Sequence, residues 1–284
     1  MGIDKVIKGP FSYSGNKYRI YKKVLCDIMS NFDKIHEPFL GSGACIYNSN
    51  NGGIGMDIDM NVISLHNSMS DKKLIDKIKS SYEEYFPNGR NKDSYLKLRS
   101  DFNKSYLIHG TGIENVHLLH ILVQLSFNSL LRFSKNGFNV PMGMKEVDFG
   151  RIELHMDVFN SKELVFIHGV YKDIDLSQIN KDRDLIYLDP PYIASKFQYG
   201  GWNREQETEL LSYLDNLNDR GYKFILSNTF NHRGVTNDDL IEWSVKYKTR
   251  DIKKKYNSWA AAVTSVKYEE NTSEVIIYNF DIDI

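Results

Sequence analysis

The sequence predicts an α/β protein built on an open, mostly parallel sheet and interrupted by a long, mostly helical insertion. Short segments at Lys34–Pro38, Gly53–Met56, Leu164–Gly169, Asp184–Leu188 and Tyr222–Leu226 read as strands, the Asp184–Leu188 segment as an apolar run bounded by charged residues. Between Asp71 and Tyr106 the apolar residues recur instead at helical spacing, and no strand signal appears. The run ending at Leu188 is followed by Asp189 and two prolines, which cannot continue a hydrogen-bonded ladder, so a buried strand stops there.

Taken in order, the first strand runs into the loop Phe39-Leu40-Gly41-Ser42-Gly43, a short helix covers Ala44 to Ser49, and Asn51-Gly52-Gly53 turns the chain into a second strand ending at Asp57. In the insertion, Leu74, Ile75, Ile78 and Tyr82 share one helical face, as do Tyr95, Leu98, Phe102 and Tyr106. An apolar helix after Asn115 gives way to Arg132–Pro141, a polar, aromatic, turn-rich stretch suited to a surface hairpin. We therefore assign residues 71–155 to the insertion and residues 1–70 and 156–284 to the α/β part. A helix from Arg204 to Arg220, with Leu210, Leu211, Leu214 and Leu217 on one face and Gly221 as its cap, leads to the strand Tyr222–Leu226. Lys253–Tyr256 and Glu274–Phe280 are two further strands, an antiparallel edge, and no internal repeat is visible.

The chain has 284 residues, 41% of them hydrophobic, enough for a substantial core. Its formal charge of -1 and isoelectric point near 6.7 give no chain-wide basic excess, so any polyanion site is local. Cys26 and Cys45 lack a paired metal spacing, which argues against zinc and a disulfide scaffold. Met1–Lys5 has no charged-then-apolar signal pattern, and the longest apolar stretch, Val116–Leu131, is interrupted by His117, His120, Gln124, Ser126 and Asn128, so the expectation is a soluble, cytoplasmic protein without a membrane partner.

Ligands of open parallel sheets bind beyond the carboxyl ends of the strands, where Phe39–Gly43, Asp57 and Asp189–Tyr192 all fall. Gly41 and Gly43 permit close backbone approach to a ligand, and Asp57 can accept hydrogen bonds from ribose hydroxyls. Taken alone, that loop is equally a tight turn and Asp57 equally a helix N-cap. Asp189-Pro190-Pro191-Tyr192 is sharper: the prolines remove two N–H donors and leave an acceptor-only surface of carbonyls and a carboxylate. Such a surface suits an exocyclic amino group. Two acceptors, the Asp189 carboxylate and the Pro190 carbonyl, would draw its N–H bonds toward a tetrahedral geometry and aim the nitrogen lone pair at an electrophile, with Tyr192 stacked on the ring. Standing alone, the same four residues are also compatible with a structural turn.

These motifs do not stand alone, and with them the chain resembles the alpha-class, Dam-type DNA adenine methyltransferases, especially the phage DNA adenine methylases. Tyr13-Ser14-Gly15-Asn16-Lys17 resembles that family's N-terminal motif, Glu37-Pro38-Phe39-Leu40-Gly41-Ser42-Gly43 its cofactor loop, Asp57 its ribose-binding acid and Asp189–Tyr192 its catalytic tetrad. The resemblance implies a class I, Rossmann-like S-adenosylmethionine-dependent methyltransferase sheet, S-adenosyl-L-homocysteine as product, no metal, double-stranded DNA as partner, and a monomer or weak dimer. It also implies methylation of a flipped adenine at N6, in GATC or a related site. Lys17 would contact the methionine carboxylate, with Tyr13 beside it, and Glu37 would take the place of a commoner Asp near the cofactor's amino end. The insertion would then be the target-recognition region, with a hairpin near residues 132–143.

In that hairpin, Phe133 matches an aromatic wedge, Ser134 the contact to the orphaned base and Arg132 a guanine reader, whose planar fork suits O6 and N7 together. Lys135, Asn136, Asn139 and Pro141 complete the expected DNA contacts. The stretch departs from the family at Ser134 and Lys135, lacks an acid before Phe138, and has Met142 where an aromatic is usual. Arg132, Lys135, Lys145 and Arg151 cluster about the hairpin, and Lys246, Lys248, Arg250, Lys253, Lys254 and Lys255 form a second basic run, read as phosphate contacts or as a solvated face. Two other readings stay open: methylation of cytosine N4, which uses the same acceptor logic, and a catalytically silent DNA-binding regulator. The two cysteines are read as core thiols, not as carbon-5 nucleophiles.

Overall fold

In the computed structural model, which describes residues 6–13, 15–112, 114–193, 202–232, 235–252 and 273–282, the sheet grows outward in both directions from one seam. β1 (Ile35–His36) pairs in parallel with β6 (Leu185–Leu188), and β6 with β7 (Phe224–His232). On the other side, β2 (Gly52–Asp57) pairs in parallel with β5 (Glu163–His168), and β1 reaches β2 through Glu37, whose backbone bonds to Ile54 and Met56. β10 (Ser273–Tyr278) runs antiparallel between β7 and β9 (Lys248–Ile252), giving the lateral order β5-β2-β1-β6-β7-β10-β9. β8 (Val235–Thr236) pairs back onto the end of β7. Chain order thus reverses between β1 and β6, the position at which such sheets open a crevice.

Alternation sets the two faces. Leu185, Tyr187, Ile225 and Ile276 point toward α1, which runs Tyr18–Ile20, through a π-helical turn at Tyr21–Leu25, to Cys26–Met29. Ile186, Leu188, Phe224, Leu226, Val275 and Ile277 point the other way, onto the helix Arg204–Asp219. That helix begins with a reciprocal Asn203–Gln206 capping box, which the sequence reading did not single out, and its cap is Arg220, one residue before the expected Gly221.

Several boundaries move. The expected helix at 44–49 is only a 3₁₀ turn, Ile46–Asn48, because Ser49 is already extended. The antiparallel strand near 274–280 exists but is interior, and the edge is β9, which precedes the expected Lys253–Tyr256; those four residues lie outside the described ones, as do Lys253–Lys255 of the basic run and Ser14.

α2 (Met60–Asn67) follows β2, and the insertion then consists of α3 (Leu74–Tyr85), α4 (Lys92–His109), α5 (Val116–Leu125), the minimal hairpin of β3 (Phe133–Ser134) and β4 (Gly137–Phe138), and α6 (Phe149–Ser161). The boundary expected at 155 therefore cuts a continuous helix that leads straight into β5. No separate core divides the parts: Leu98, Phe102, Leu119 and Phe138 pack in one cluster with Leu40, Ile46, Val62, Leu164 and Phe166 of the sheet side. α5 is buried along most of its length, with His117 and Leu118 half-buried; His120 meets Ser68 Oγ at 2.9 Å and Gln124 accepts the Asp148 N–H at 2.9 Å, while His117 Nδ1, His120 Nδ1 and Gln124 Nε2 are buried without a partner among the described residues. Among the described residues, no helix is long and apolar enough to cross a membrane.

A shared core predicts shared unfolding. Phe102→Ala removes a fully buried ring and should cost about 3–5 kcal/mol. All three tryptophans, Trp202, Trp243 and Trp259, lie outside the insertion, so their fluorescence reports the α/β part, while far-ultraviolet circular dichroism weights the helices. The two urea transitions should coincide in wild type and shift together in the variant; separate midpoints would show the insertion to be an independent unit.

Candidate active site

At the carboxyl ends of β1 and β6 the two chain segments Glu37-Pro38 and Asp189-Pro190 face a cleft of about 820 Å³. Every residue that the sequence placed in the cofactor loop, the N-terminal motif or the tetrad as a cofactor or catalytic contact lines it, apart from Gly43: Tyr13, Lys17, Glu37, Pro38, Phe39, Gly41, Ser42, Asp57 and Asp189–Tyr192.

Lys17 caps the start of α1 and is buried. Its ammonium lies 2.8 Å from Asp189 Oδ1 and 4.8 Å from the centroid of the Tyr192 ring. Burial alone would pull the Lys17 pKa down, but the Asp189 carboxylate outweighs it and holds the ammonium charged. The Tyr192 hydroxyl donates to the same Asp189 oxygen at 3.2 Å. Asp189 Oδ2 has no partner among the described residues, so the tetrad presents one engaged and one free carboxylate oxygen at the cleft. Lys17, expected at the cofactor's carboxylate, is thus bonded to the tetrad itself.

Glu37 is buried, and its Oε2 accepts the Ile46 N–H at 3.0 Å. Burial, with Asp189 and Asp57 nearby, pushes its carboxyl up to about 8 against the pull of the backbone donors. Asp57 holds the loop: Oδ2 accepts the Gly41 N–H and Oδ1 the Asp59 N–H, each at 2.9 Å, while Asp59 in turn caps α2. The local N-cap alternative for that strand end is therefore realised at Asp59 with Asp57 behind it. Gly43 sits outside the cleft at φ 65°, where a Cβ would meet the Tyr47 and His66 rings at 3.0 and 3.1 Å.

Sequence reading missed the residues that support this loop. His66 Nε2 donates to the Gly41 carbonyl at 2.9 Å, which leaves Nδ1 to accept from the Tyr47 hydroxyl at 3.1 Å. Burial pushes His66 down to about 3, so it stays neutral. The apolar walls were also missed: Ile58, Tyr171 and Trp202 line the cleft, with Phe39 stacked on Tyr171 at 5.4 Å and edge-on to Trp202 at 5.8 Å. Ile58, next to Asp57 and 70% exposed, is the one position a signal pointed to: an apolar residue in a polar turn beside a cleft acid.

The expected DNA contacts are mixed in placement. Arg132 is exposed but side-on to Asn139, donating from Nε to Oδ1 at 2.7 Å and from Nη2 to the carbonyl at 3.1 Å. Ser134, Lys135, Asn136, Asn139 and Pro141 are exposed. Phe133 is half-buried, its ring 4.7 Å from Tyr106, 5.6 Å from Phe138 and 6.3 Å from Phe102. Phe127, by contrast, is 52% exposed beside exposed Asn128, and Asn128 and Ser129 both hold left-handed backbone, at φ 53° and 51°. Arg151 is not a free cation: its guanidinium clamps the Gly9 carbonyl, with Nε at 2.7 Å. Lys246 and Lys248 are paired with Asp215 and Asp281, so that stretch of the basic run is locally neutralised. Cys26 and Cys45 are buried free thiols, pushed up by burial and therefore unreactive. Among the described residues, no group of three or more His, Cys, Asp or Glu is placed to hold a metal ion.

Comparison with known proteins bears on what this cleft does. The profile of the family MethyltransfD12, described as D12 class N6 adenine-specific DNA methyltransferase, matches residues 13–272. The chain is 28% identical over 291 residues to the Type II methyltransferase M.FokI of Planomicrobium okeanokoites, an alignment covering 96% of this chain and 43% of that protein. It thus spans less than half the length of that relative. It is 30% identical over 214 residues to the DNA adenine methylase of Haemophilus influenzae, covering 73% of this chain and 68% of that one. The solved rRNA methyltransferase aviRa from Streptomyces viridochromogenes superposes with a TM-score of 0.39 at 11% identity, over 92% of this chain and 84% of that chain, too loosely to compare sites.

The raised Glu37 carboxyl makes a signed prediction. An ordinary glutamate titrates near 4.5, whereas the folded chain holds this proton to about 8. The stabilisation is therefore complete below pH 4.5 and is lost as pH rises through 8. Glu37→Gln stays neutral and keeps an acceptor for the Ile46 N–H. Urea unfolding between pH 5 and 8.5 should show wild type losing stability with pH more steeply than the variant; equal slopes would mean that the carboxyl ionises freely.

Proposed function

The chain belongs to the D12 class of N6 adenine-specific DNA methyltransferases, and from that premise we propose that it transfers a methyl group from S-adenosylmethionine to adenine N6 in duplex DNA. The observation that carries this reading is the acceptor pair at the switch point: a carboxylate oxygen of Asp189 with no partner among the described residues, next to the Pro190 carbonyl, in a cleft also lined by Glu37–Ser42.

The cleft fits the cofactor. Its volume lies within the range of small-molecule sites, about 300–1,000 Å³, and its walls divide into aromatic surfaces and a few converging acids. Phe39, Ile58, Tyr171 and Trp202 offer apolar faces for an adenine ring, and Asp57 retains acceptor capacity for ribose hydroxyls. Bound there, S-adenosylmethionine would supply an electrophilic methyl on its sulfonium. Asp189 and the Pro190 carbonyl accept the two N–H bonds of the target amino group and orient its lone pair. Burial raises the Asp189 carboxyl, the Lys17 ammonium offsets part of that rise and so favours the acceptor form, and the Tyr192 ring faces the base. Tyr13 and Ser42 close the rim, and S-adenosyl-L-homocysteine is the product released.

On the DNA side, the helical insertion acts as the target-recognition region, in the alpha-class, Dam-like motif order, and the site is GATC or a near relative. Arg132 reads guanine once its fork leaves Asn139, and Lys135 and Lys145 meet phosphates. The wedge role passes from Phe133, which is committed to the aromatic cluster, to the exposed and backbone-strained Phe127–Asn128 tip. Because the chain spans under half of M.FokI, site-specific modification by this chain alone is part of the proposal.

Asp189→Ala should lower methyl transfer about 100- to 1,000-fold while S-adenosyl-L-homocysteine binding, read by calorimetry, stays within about threefold. Digestion of treated DNA to nucleosides identifies the product: N6-methyladenine from wild type supports the reading, and N4-methylcytosine, or near-normal turnover by the variant, overturns it. The two phenylalanines separate by kind of effect. With 2-aminopurine at the target position, Phe127→Ala should abolish most of the fluorescence rise on binding without lowering the melting temperature; Phe133→Ala should lower the melting temperature. The reverse pattern would return the wedge to Phe133.

A further inference from the structure

Glu207 is buried without any exposed surface, on a helix that the proposed reaction leaves unused. Three N–H donors converge on its carboxylate: the Trp202 indole to Oε2 at 2.9 Å, and the Asn228 and Asn237 side-chain amides to Oε1, each at 3.0 Å. None of the three can turn round. The Asn228 oxygen is held by the Thr229 N–H at 2.8 Å and the Asn237 oxygen by the Leu240 N–H at 3.2 Å, so both amides must present their NH₂ groups inward, and indole nitrogen donates only. Among the described residues, no cation pairs with Glu207. Burial pushes the Glu207 carboxyl up while the hydrogen bonds from Trp202, Asn237 and Asn228 pull it back, so among the described residues the burial cost is offset by a set of fixed donors and not by a counter-charge.

The donors tie together three places around the cleft. Trp202 is a cleft wall and meets Phe39 of the cofactor loop edge-on. Asn228 lies on β7, the strand beside the one that ends in the tetrad. Asn237 caps the helix Asp238–Ser244 beyond it.

We propose that Glu207 is a positioning residue for the methyl-transfer reaction, acting as the fixed acceptor that sets the Trp202 indole as a wall of the cofactor cavity. The inference rests on the reading of that cavity as the S-adenosylmethionine site. Glutamine is the sharpest probe because it is nearly isosteric yet has one acceptor only. Its oxygen can keep Asn228 and Asn237, but its NH₂ then faces the indole N–H, donor against donor; flipping it sets the NH₂ against the two amides instead.

The test uses the full chain carrying 5-fluorotryptophan, followed by fluorine NMR, with the Trp202 resonance assigned from Trp202→Phe. Glu207→Gln should move or broaden the Trp202 resonance and leave that of Trp243 in place, which also shows that the variant is folded. S-adenosyl-L-homocysteine binding should weaken about tenfold, the loss expected for one buried donor left unpaired, and KM for S-adenosylmethionine should rise with it while kcat at saturation stays within about twofold. In Glu207→Gln/Trp202→Phe the conflicting donor is gone, and affinity should return to within about threefold of the Trp202→Phe parent. A Trp202 resonance or an affinity that remains at its wild-type value in Glu207→Gln overturns the inference. If wild type itself does not bind S-adenosyl-L-homocysteine, the cofactor reading fails, and the resonance still decides whether Glu207 fixes the indole.

Discussion

The ion pair between Lys17 and Asp189 is the constraint around which the site is arranged. It spans the seam where chain order reverses, joining the first residue of α1's N-terminal cap to the last residue before the two prolines of the β6 turn. A buried pair of this kind adds little net stability over an apolar contact, but removing one partner leaves an uncompensated charge and is costly. It therefore fixes geometry more than it adds energy. α1 is held above one face of the sheet by Leu25, Ile28 and Met29, so the position of the ammonium, and through it that of the carboxylate, is set by core packing.

Among the acids that line this cleft with that one buried lysine, Glu37, Asp57 and Asp189 each meet the problem of burial in a different way. Asp189 has a cation at 2.8 Å. Asp57 has two backbone N–H groups, one on each oxygen, and uses them to join the glycine loop to the start of α2. Glu37 has too little compensation and keeps its proton to about 8. The result is a graded set: one carboxyl whose burial is offset in part by a cation, one bound into the loop's scaffold, and one that keeps its proton and adds no repulsion beside the other two. Replacing Glu37 by a residue that ionised at neutral pH would place uncompensated negative charge next to Asp189 and weaken its hold on a single ammonium.

How much of this was legible in the sequence depends on whether the signal was local. Strand ends, the glycine loop and the tetrad were readable because prolines, glycines and apolar runs act through their own backbone, and the cleft gathers those segments almost completely. What failed was whatever tertiary contacts decide. Arg151 carries the same charge as Lys145 and sits near it in sequence, yet its guanidinium is enclosed by the 8–12 segment. Lys17 was legible as a site residue but not as the partner of Asp189, a residue far along the chain. His66, Tyr47 and Glu207 left no motif at all, since each works through one to three hydrogen bonds to residues elsewhere in the fold. The helix boundary at 155 was misplaced because α6 belongs to both parts: Ile152 and Met156 pack in the shared core while the helix delivers the chain into β5.

The burial of Phe133 and the exposure of Phe127, on which the proposed change of wedge rests, have the same origin. Both sit in aromatic, polar stretches, and alternation in a hairpin as short as Phe133–Ser134 against Gly137–Phe138 does not say which face is covered. The covering comes from Tyr106 and Phe102 on α4. Once Phe133 is committed to that contact, the next aromatic outward is Phe127, carried on a turn whose left-handed Asn128 and Ser129 are held by the Phe127 N–H to the Pro141 carbonyl and the Ser129 N–H to the Ser126 carbonyl. The same unit reaches the cofactor loop from its other end. Arg151 and His155 on α6 grip the Gly9 and Lys8 carbonyls, and Gly9 lies so close to Ser42 that a Cβ there would overlap the Ser42 carbonyl oxygen. A glycine is required at that contact because the segment clamped by the helical part must pass directly over the loop that rims the cleft, which makes the two halves of the chain one mechanical unit at the site.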